Sequence, residues 1–257
     1  MKSPIKCDGE ITASLKHLKQ MIPKGSIVNS YLLFSGNVEF GLCESDRFVI
    51  GRTNKYVVKE FWNCMLEDPR RVYDILNTKT FSIPSDKLFY LLQDTWPQYP
   101  DPFVRAALFV YLNNCTEKGT ISSGAPTTFD INPFSLSNIR KFKIENFHAQ
   151  FDDVDCGSAL DSIAEELESD FVLIPAGRFN FNLLNEATSV GHEVTRVNHK
   201  NIKTIFDSTT HNKVVLIYKF NPTINNMYKE YNKIMIDKRG YETNKKTDCE
   251  EIIVTNF

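Results

Sequence analysis

The chain has 257 residues, a formal net charge of −2 and ordinary apolar, aromatic and charged fractions, enough for one large α/β core or a core with a smaller inserted subdomain. A near-neutral total gives no global pull toward nucleic acid or an anionic membrane, although a local basic face can sit inside it. Six cysteines without a C-x-x-C pair fit reduced thiols better than a disulfide framework or a zinc site.

The first residues lack the apolar core of a secretory signal, and no run approaches the ~20 apolar residues of a membrane span. The expectation is a protein that is not secreted, has no membrane or metal partner, and works in the cytoplasm or nucleus of a host cell. Abundant Asn and Lys with scarce Ala suit an AT-rich coding genome such as that of a virus, a phage or a low-GC bacterium.

Ile11, Leu15, Leu18 and Ile22 recur about one helical turn apart, and Pro23 and Gly25 close the segment, so residues 10–22 are predicted as an amphipathic helix. Residues 27–34 are densely apolar and run into Ser35-Gly36-Asn37, a strand entering a tight turn. Residues 38–43 are apolar again, a helix or a second strand. Arg47-Phe-Val-Ile-Gly51 reads as a short buried strand, followed by a helix from about residue 54 with Val57, Val58, Phe61, Trp62, Met65 and Leu66 on its apolar side. This alternation argues for βαβ units and a largely parallel sheet.

From 68 to 112 the pattern is helical, broken at Pro84, Pro97, Pro100 and Pro102, and 113–132 is a polar loop. Residues 66–135 therefore read as a helical insertion between two parts of one core, 1–65 and 136–257. Strand and helix then alternate again: a strand at 142–147, a helix at 158–167, and an apolar run from Asp170 to Ile174 that stops on Pro175, Ala176 and Gly177. A buried strand emptying into a loop is where ligands sit in open α/β sheets. A helix at 202–206, a central strand at 213–219, a helix at 224–236 and a final strand at 251–257 complete the reading. No internal repeat or low-complexity tract is found.

Several strings in this order carry a resemblance. They are the initial helix ending in Ile-Pro-Lys before a strand and the Phe34-Ser-Gly36 turn; Glu67-Asp-Pro-Arg-Arg-Val-Tyr-Asp-Ile-Leu76; Arg105-Ala-Ala-Leu-Phe-Val-Tyr-Leu-Asn-Asn114; Thr128-Phe-Asp-Ile-Asn-Pro-Phe134; Ser169-Asp-Phe-Val-Leu-Ile174; and the closing strand. Together they resemble the D12-class DNA adenine-N6 methyltransferases, the family of the bacterial and phage Dam enzymes, over nearly the whole chain. The resemblance implies an α/β, Rossmann-like class I methyltransferase sheet, with residues 66–135 equivalent to the family's DNA-recognition subdomain.

It also implies where S-adenosylmethionine and the target base would meet the chain, and there the sequence departs from the family. The second glycine of the Gly-rich turn is Val38, and Leu32 stands where an acidic residue often precedes the turn. Arg52 follows the second strand in place of the acidic residue that accepts from the cofactor's ribose, and arginine has no acceptor. The matching pocket positions are Gly9, Phe34, Ser35, Gly36, Asn37 and Arg52. The catalytic D-P-P-Y falls on Pro175-Ala176-Gly177-Arg178, or one residue earlier from Ile174, and neither register offers an acceptor for the adenine amine. Loss of one such preorganised group typically costs on the order of 10² to 10³ in rate.

The expectation is accordingly no catalytic residue and no cofactor: a catalytically inactive homologue kept as a binding or structural subunit, with a protein complex or a nucleic acid as partner, DNA favoured over RNA. The alternative is a divergent but active S-adenosylmethionine-dependent site-specific DNA adenine-N6 methyltransferase that takes its acceptor from Asn180, Asn182 or Asn185. Arg140, Lys141 and Lys143, and Lys238, Arg239 and Tyr241, mix bases with aromatics as nucleic-acid surfaces do, though an ordinary charged face has the same composition. His192, His199 and the acidic cluster of Asp152, Asp153 and Asp155 read as solvated residues, since no metal-ligand spacing accompanies them.

Overall fold

A computed structural model describes residues 2–7, 10–53, 55–78, 84–117, 119–122, 124–151, 169–177, 199–209 and 212–257. In chain order its elements begin with α1 (Leu15–Met21), β1 (Ile27–Ser30), α2 (Asn37–Cys43), β2 (Phe48–Thr53), α3 (Tyr56–Glu67) and α4 (Pro69–Leu76). Next come α5 (Asp86–Thr95) with a 3-10 turn at Trp96–Gln98, α6 (Pro102–Cys115), α7 (Pro133–Arg140), β3 (Phe147–Phe151) and β4 (Phe171–Gly177). The remainder is α8 (His199–Ser208), β5 (Lys213–Lys219), α9 (Pro222–Met227), β6 (Asn232–Asp237) and β7 (Cys249–Thr255).

The chain divides into two compact units. One joins Gly9–Asn54, Ile144–Phe181 and Arg196–Phe257 and carries the sheet. Among the described residues its seven strands run in the order β3-β2-β1-β4-β5-β7-β6. β1 pairs in parallel with β2 and β4, β2 with β3, and β4 with β5, while β7 lies antiparallel between β5 and β6. This is the α/β, Rossmann-like class I methyltransferase sheet. Strand order reverses between β1 and β4, which opens a crevice at their carboxyl ends. β4 and β5 are almost wholly buried, as expected of central parallel strands covered on both faces.

The other unit is built on Lys55–Lys143 with the first residues of the chain. α6 is apolar nearly all round and is buried along most of its length, so it forms the centre against which other helices pack. Phe61 stacks on Phe109 with ring centroids 5.1 Å apart, and Trp62 lies 5.8 Å from Phe142. Four of the described helices open on the same device, an Asx cap followed by proline in the first turn. The Asp68 side chain accepts from Arg71 N–H, Asp101 from Phe103, Asn132 from Phe134 and Asn221 from Thr223. Pro102, a break in the sequence pattern, is thus a helix start, because proline lacks only an N–H that the first turn leaves unpaired.

Three segments differ from the sequence reading or complete it. The strand expected at 142–147 is β3 at Phe147–Phe151, because Asn146 takes a left-handed φ of 62° and only then does the chain run beside β2. The helix expected over 224–236 stops at Met227, and Asn232–Asp237 pairs instead with β7. Ile234 and Ile236, two residues apart, would lie on opposite sides of a helix but share one face of a strand. Residues 38–43, whose apolar run suits either a helix or a strand, are helical.

Candidate functional site

The carboxyl edge of the sheet is stitched together directly after β1. Tyr31 N–H donates to the Leu173 carbonyl of β4 at 2.9 Å, and Leu33 N–H donates to the Arg52 carbonyl of β2 at 2.9 Å. Between them Leu32 has a φ of 61°, and at the turn's end Gly36 has a φ of 75°, a conformation that glycine adopts without Cβ strain. A Cβ on Gly36 would also fall 2.5 Å from the Phe40 ring. Phe34 and Val38 are buried in the core, whereas Ser35, Asn37 and Arg52 are half-buried. The Arg52 Nε donates to Asn29 Oδ1 at 2.8 Å, and its guanidinium carbon lies 5.7 Å from the Tyr31 ring centroid.

Glu39 lies beside this turn, and the sequence reading does not single it out. It is buried on α2 and its Oε1 accepts from the Ser30 hydroxyl, at the end of β1, at 2.7 Å. Burial pushes its carboxyl above the usual range, more than the Ser30 bond lowers it. The available signal is a lone carboxylate inside an otherwise apolar helix three residues after Gly36.

Pro175, Ala176 and Gly177 are strand rather than loop. β5 continues alongside them, pairing Pro175 with Ile217 and Gly177 with Tyr218 across a register shift. Proline lacks an N–H but keeps its carbonyl, and the irregularity beside it is where a strand tolerates that loss. Ile174 and Ala176 are buried, and none of the four side chains from Ile174 to Gly177 offers a hydrogen-bonding group. Arg178 and Gly9 lie outside the described residues, as do Asn180, Asn182, Asn185, His192 and the Asp152–Asp155 cluster.

The two basic groups belong to different units. Arg140, Lys141 and Lys143 are exposed at the end of α7 in the helical unit, with the Arg140 guanidinium 5.9 Å from the Tyr73 ring centroid. Lys238, Arg239 and Tyr241 belong to the turn after β6 in the sheet unit. His199, expected on the surface, is only 8% exposed, and its Nδ1 lies 3.1 Å from the Tyr218 hydroxyl. It opens α8 beside β5, which covers it. Burial pushes the Cys43 and Cys64 thiols up to about 12, so neither is a thiolate nucleophile near neutral pH. Among the described residues no group of three or more His, Cys, Asp or Glu is placed to hold a metal ion, and no helix is long and apolar enough to cross a membrane.

No protein-family profile and no curated protein matches the chain. Solved structures do. A TehB-like SAM-dependent methyltransferase from Corynebacterium glutamicum aligns over 96% of this chain and 87% of its own at 8% identity and a TM-score of 0.38. The rRNA methyltransferase AviRa from Streptomyces viridochromogenes aligns over 95% and 84% at 10% identity and a TM-score of 0.38. Phosphoethanolamine N-methyltransferase 1 from Haemonchus contortus, solved with phosphoethanolamine and S-adenosylhomocysteine, aligns over 96% of this chain and 41% of its own at 10% identity and a TM-score of 0.36.

These neighbours correct the expectation that no cofactor is involved, because they are methyltransferases, one described as SAM-dependent and one holding the demethylated product. Arg52, its Nε bonded to Asn29, places a guanidinium beside the left-handed turn, a group that matches a carboxylate in shape and charge.

Proposed function

We propose that this chain is an S-adenosylmethionine-dependent methyltransferase whose substrate is DNA and whose target is the adenine amine. The observation that carries the reading is the strand order, which reverses between β1 and β4 and brings the Leu32–Gly36 turn and Arg52 to the carboxyl ends of β1 and β2. The choice of DNA adenine rests on the ordered strings shared with the D12 class. The cofactor, when bound, supplies an activated methyl group. Arg52 would pair with its carboxylate, and the Tyr31–Gly36 turn would border that end. Ile174 to Gly177 contribute no side-chain acceptor for the amine. In the sequence, the first side-chain acceptors after Gly177 are Asn180, Asn182 and Asn185, and we assign amine orientation to this group.

Isothermal titration with S-adenosylmethionine is expected to give micromolar binding. Arg52→Ala is expected to weaken it by roughly ten- to a hundred-fold, the equivalent of about 1.5–3 kcal/mol for a hydrogen bond to a charged group, with Arg52→Lys intermediate. No heat at millimolar cofactor overturns the reading. With labelled cofactor and duplex DNA, label should appear in N6-methyladenine. Label in RNA and none in DNA would overturn the substrate while leaving the cofactor assignment standing.

A further inference from the structure

A cleft lies on the same unit, between α1 with the residues before it and the turn after β6. The cleft there has a volume of about 640 Å³, and its walls include Lys16, Lys19, Lys238 and Arg239, with Thr12 and Gln20 between them. Four of the nine residues lining the cleft are Lys or Arg and none is Asp or Glu, against 30 Lys and Arg in the 257 residues of the chain. None of the four side chains is ion-paired among the described residues. Two carboxylates lie near this turn: Asp237 accepts from the backbone N–H groups of Arg239 and Tyr241 at 2.8 and 2.9 Å, and these bonds with the Arg239 charge hold its carboxyl below the usual range, while Glu242 lies 3.7 Å from His17 Nδ1.

The walls are held in place by packing. His17 Nε2 lies 3.1 Å from the Gly240 carbonyl, and a Cβ on Gly240 would sit 3.1 Å from the Ala13 carbonyl oxygen, so the turn is clamped on the helix start. The turn's own φ of 81° at Gly240 suits glycine for the same close approach. Tyr241 beside the cleft is 60% exposed, and Lys16 Nζ lies 5.4 Å from its ring centroid. Because β6 runs parallel to β5 across β7, this turn is at the same edge of the sheet as the crevice between β1 and β4.

We infer that this cleft binds the sugar-phosphate backbone of DNA, with Lys16, Lys19, Lys238 and Arg239 contacting successive phosphates. Lysine and arginine on phosphate fix the position of a duplex without reading its sequence, and contacts at this edge anchor the strand whose base is presented to the crevice. The inference rests on the preceding reading only for the choice of DNA as the polyanion.

The test is fluorescence anisotropy of a short labelled DNA duplex of mixed sequence across a salt series, on the full chain. The double variant Lys238→Glu/Arg239→Glu is expected to lose at least roughly ten-fold in affinity, and its log–log salt slope to fall by about 1.8, at ~0.9 for each phosphate the protein no longer neutralises. The control Lys200→Glu/Lys229→Glu makes the same charge change on the same unit outside the cleft and is expected to stay close to the wild type. Equal losses in both, or no loss in either, overturn the cleft. If the charge reversal impairs folding, Lys238→Gln/Arg239→Gln carries the same test with a smaller loss. A melting temperature raised by inorganic phosphate, with DNA affinity unchanged in the cleft variant, would also overturn it, assigning a free anion instead. Cofactor titration on the same preparations separates failure of this inference from failure of the methyltransferase reading.

Discussion

Replacing Glu251 with alanine is expected to lower the unfolding free energy by about 3–5 kcal/mol, the range for breaking a buried charge pair by removing one partner. Glu251 on β7 is fully buried. Its Oε1 accepts from the backbone N–H groups of Thr12 and Ala13 at 3.0 and 3.3 Å, and its Oε2 from the Ser14 N–H and hydroxyl at 2.7 and 2.6 Å. The Lys219 ammonium is 2.9 Å away. Alanine would orphan three backbone donors at the start of α1 and leave Lys219 with only the more exposed Glu250. Glutamine keeps one acceptor and should cost less than alanine.

The same carboxylate carries a pH signature. Burial raises its pKa, but the Ser14 bond, the Lys219 charge and the Thr12 bond together outweigh that and hold it below the ordinary 4.5. A carboxyl depressed on folding contributes stability above its unfolded pKa and loses it as pH falls through the folded value. The wild type should therefore lose this contribution below about pH 4.5, and the Glu251→Ala variant, lacking it, should show a shallower acid limb in denaturation followed by circular dichroism. Identical acid limbs would contradict the assignment.

The second large effect is expected in the helical unit. Arg105 on α6 faces Glu60 on α3 through two bonds, Nε to Oε1 at 2.7 Å and a second between Nη2 and Oε2, and it also donates to the Tyr99 carbonyl. The two side chains are 18% and 9% exposed. Glu60→Ala should cost about 2–4 kcal/mol, below the fully buried range because Arg105 keeps some solvent. Replacing both by apolar residues of similar volume, Glu60→Met with Arg105→Leu, should recover most of the loss, since no charge is then left unpaired. Urea denaturation of the wild type, both single variants and the double variant measures the coupling. Additive losses would show that the pair does not act as a unit.

Much of the sheet is legible in the sequence because β1, β2, β4, β5 and β7 are short apolar runs ended by Gly, Pro or polar residues, a pattern that burial on both faces imposes. β6 is not, because Lys233 to Asp237 gains its strand character from pairing with β7, which follows a long polar turn. The turn at Ser35-Gly36-Asn37 is visible in composition, and Gly36 does take the positive φ such a turn requires. The end of β4 is misleading because Pro175 and Gly177 signal a loop locally, whereas β5 beside them sustains the strand. The Asx-Pro helix starts are visible as text but read as breaks. Glu39 and Glu251 are beyond reach of spacing arguments, since their partners, Ser30 and the Thr12–Ser14 backbone, are set by how the layers stack. The cleft is half legible: Lys238-Arg-Gly-Tyr241 stands out as a string, but its opposite wall on α1 comes from the other end of the chain.

β7 lies between β5 and β6 and, among the described residues, is the only strand that β6 pairs with. During synthesis, therefore, β5 waits at the ribosome with one edge uncovered, and its apolar Val214 to Tyr218 segment is open to pairing with other chains. The emergence of β7 closes that edge, recruits β6 and delivers Glu251 to the first helix in one step. Until β7 pairs, that edge of β5 is the part of the sheet open to association with another chain.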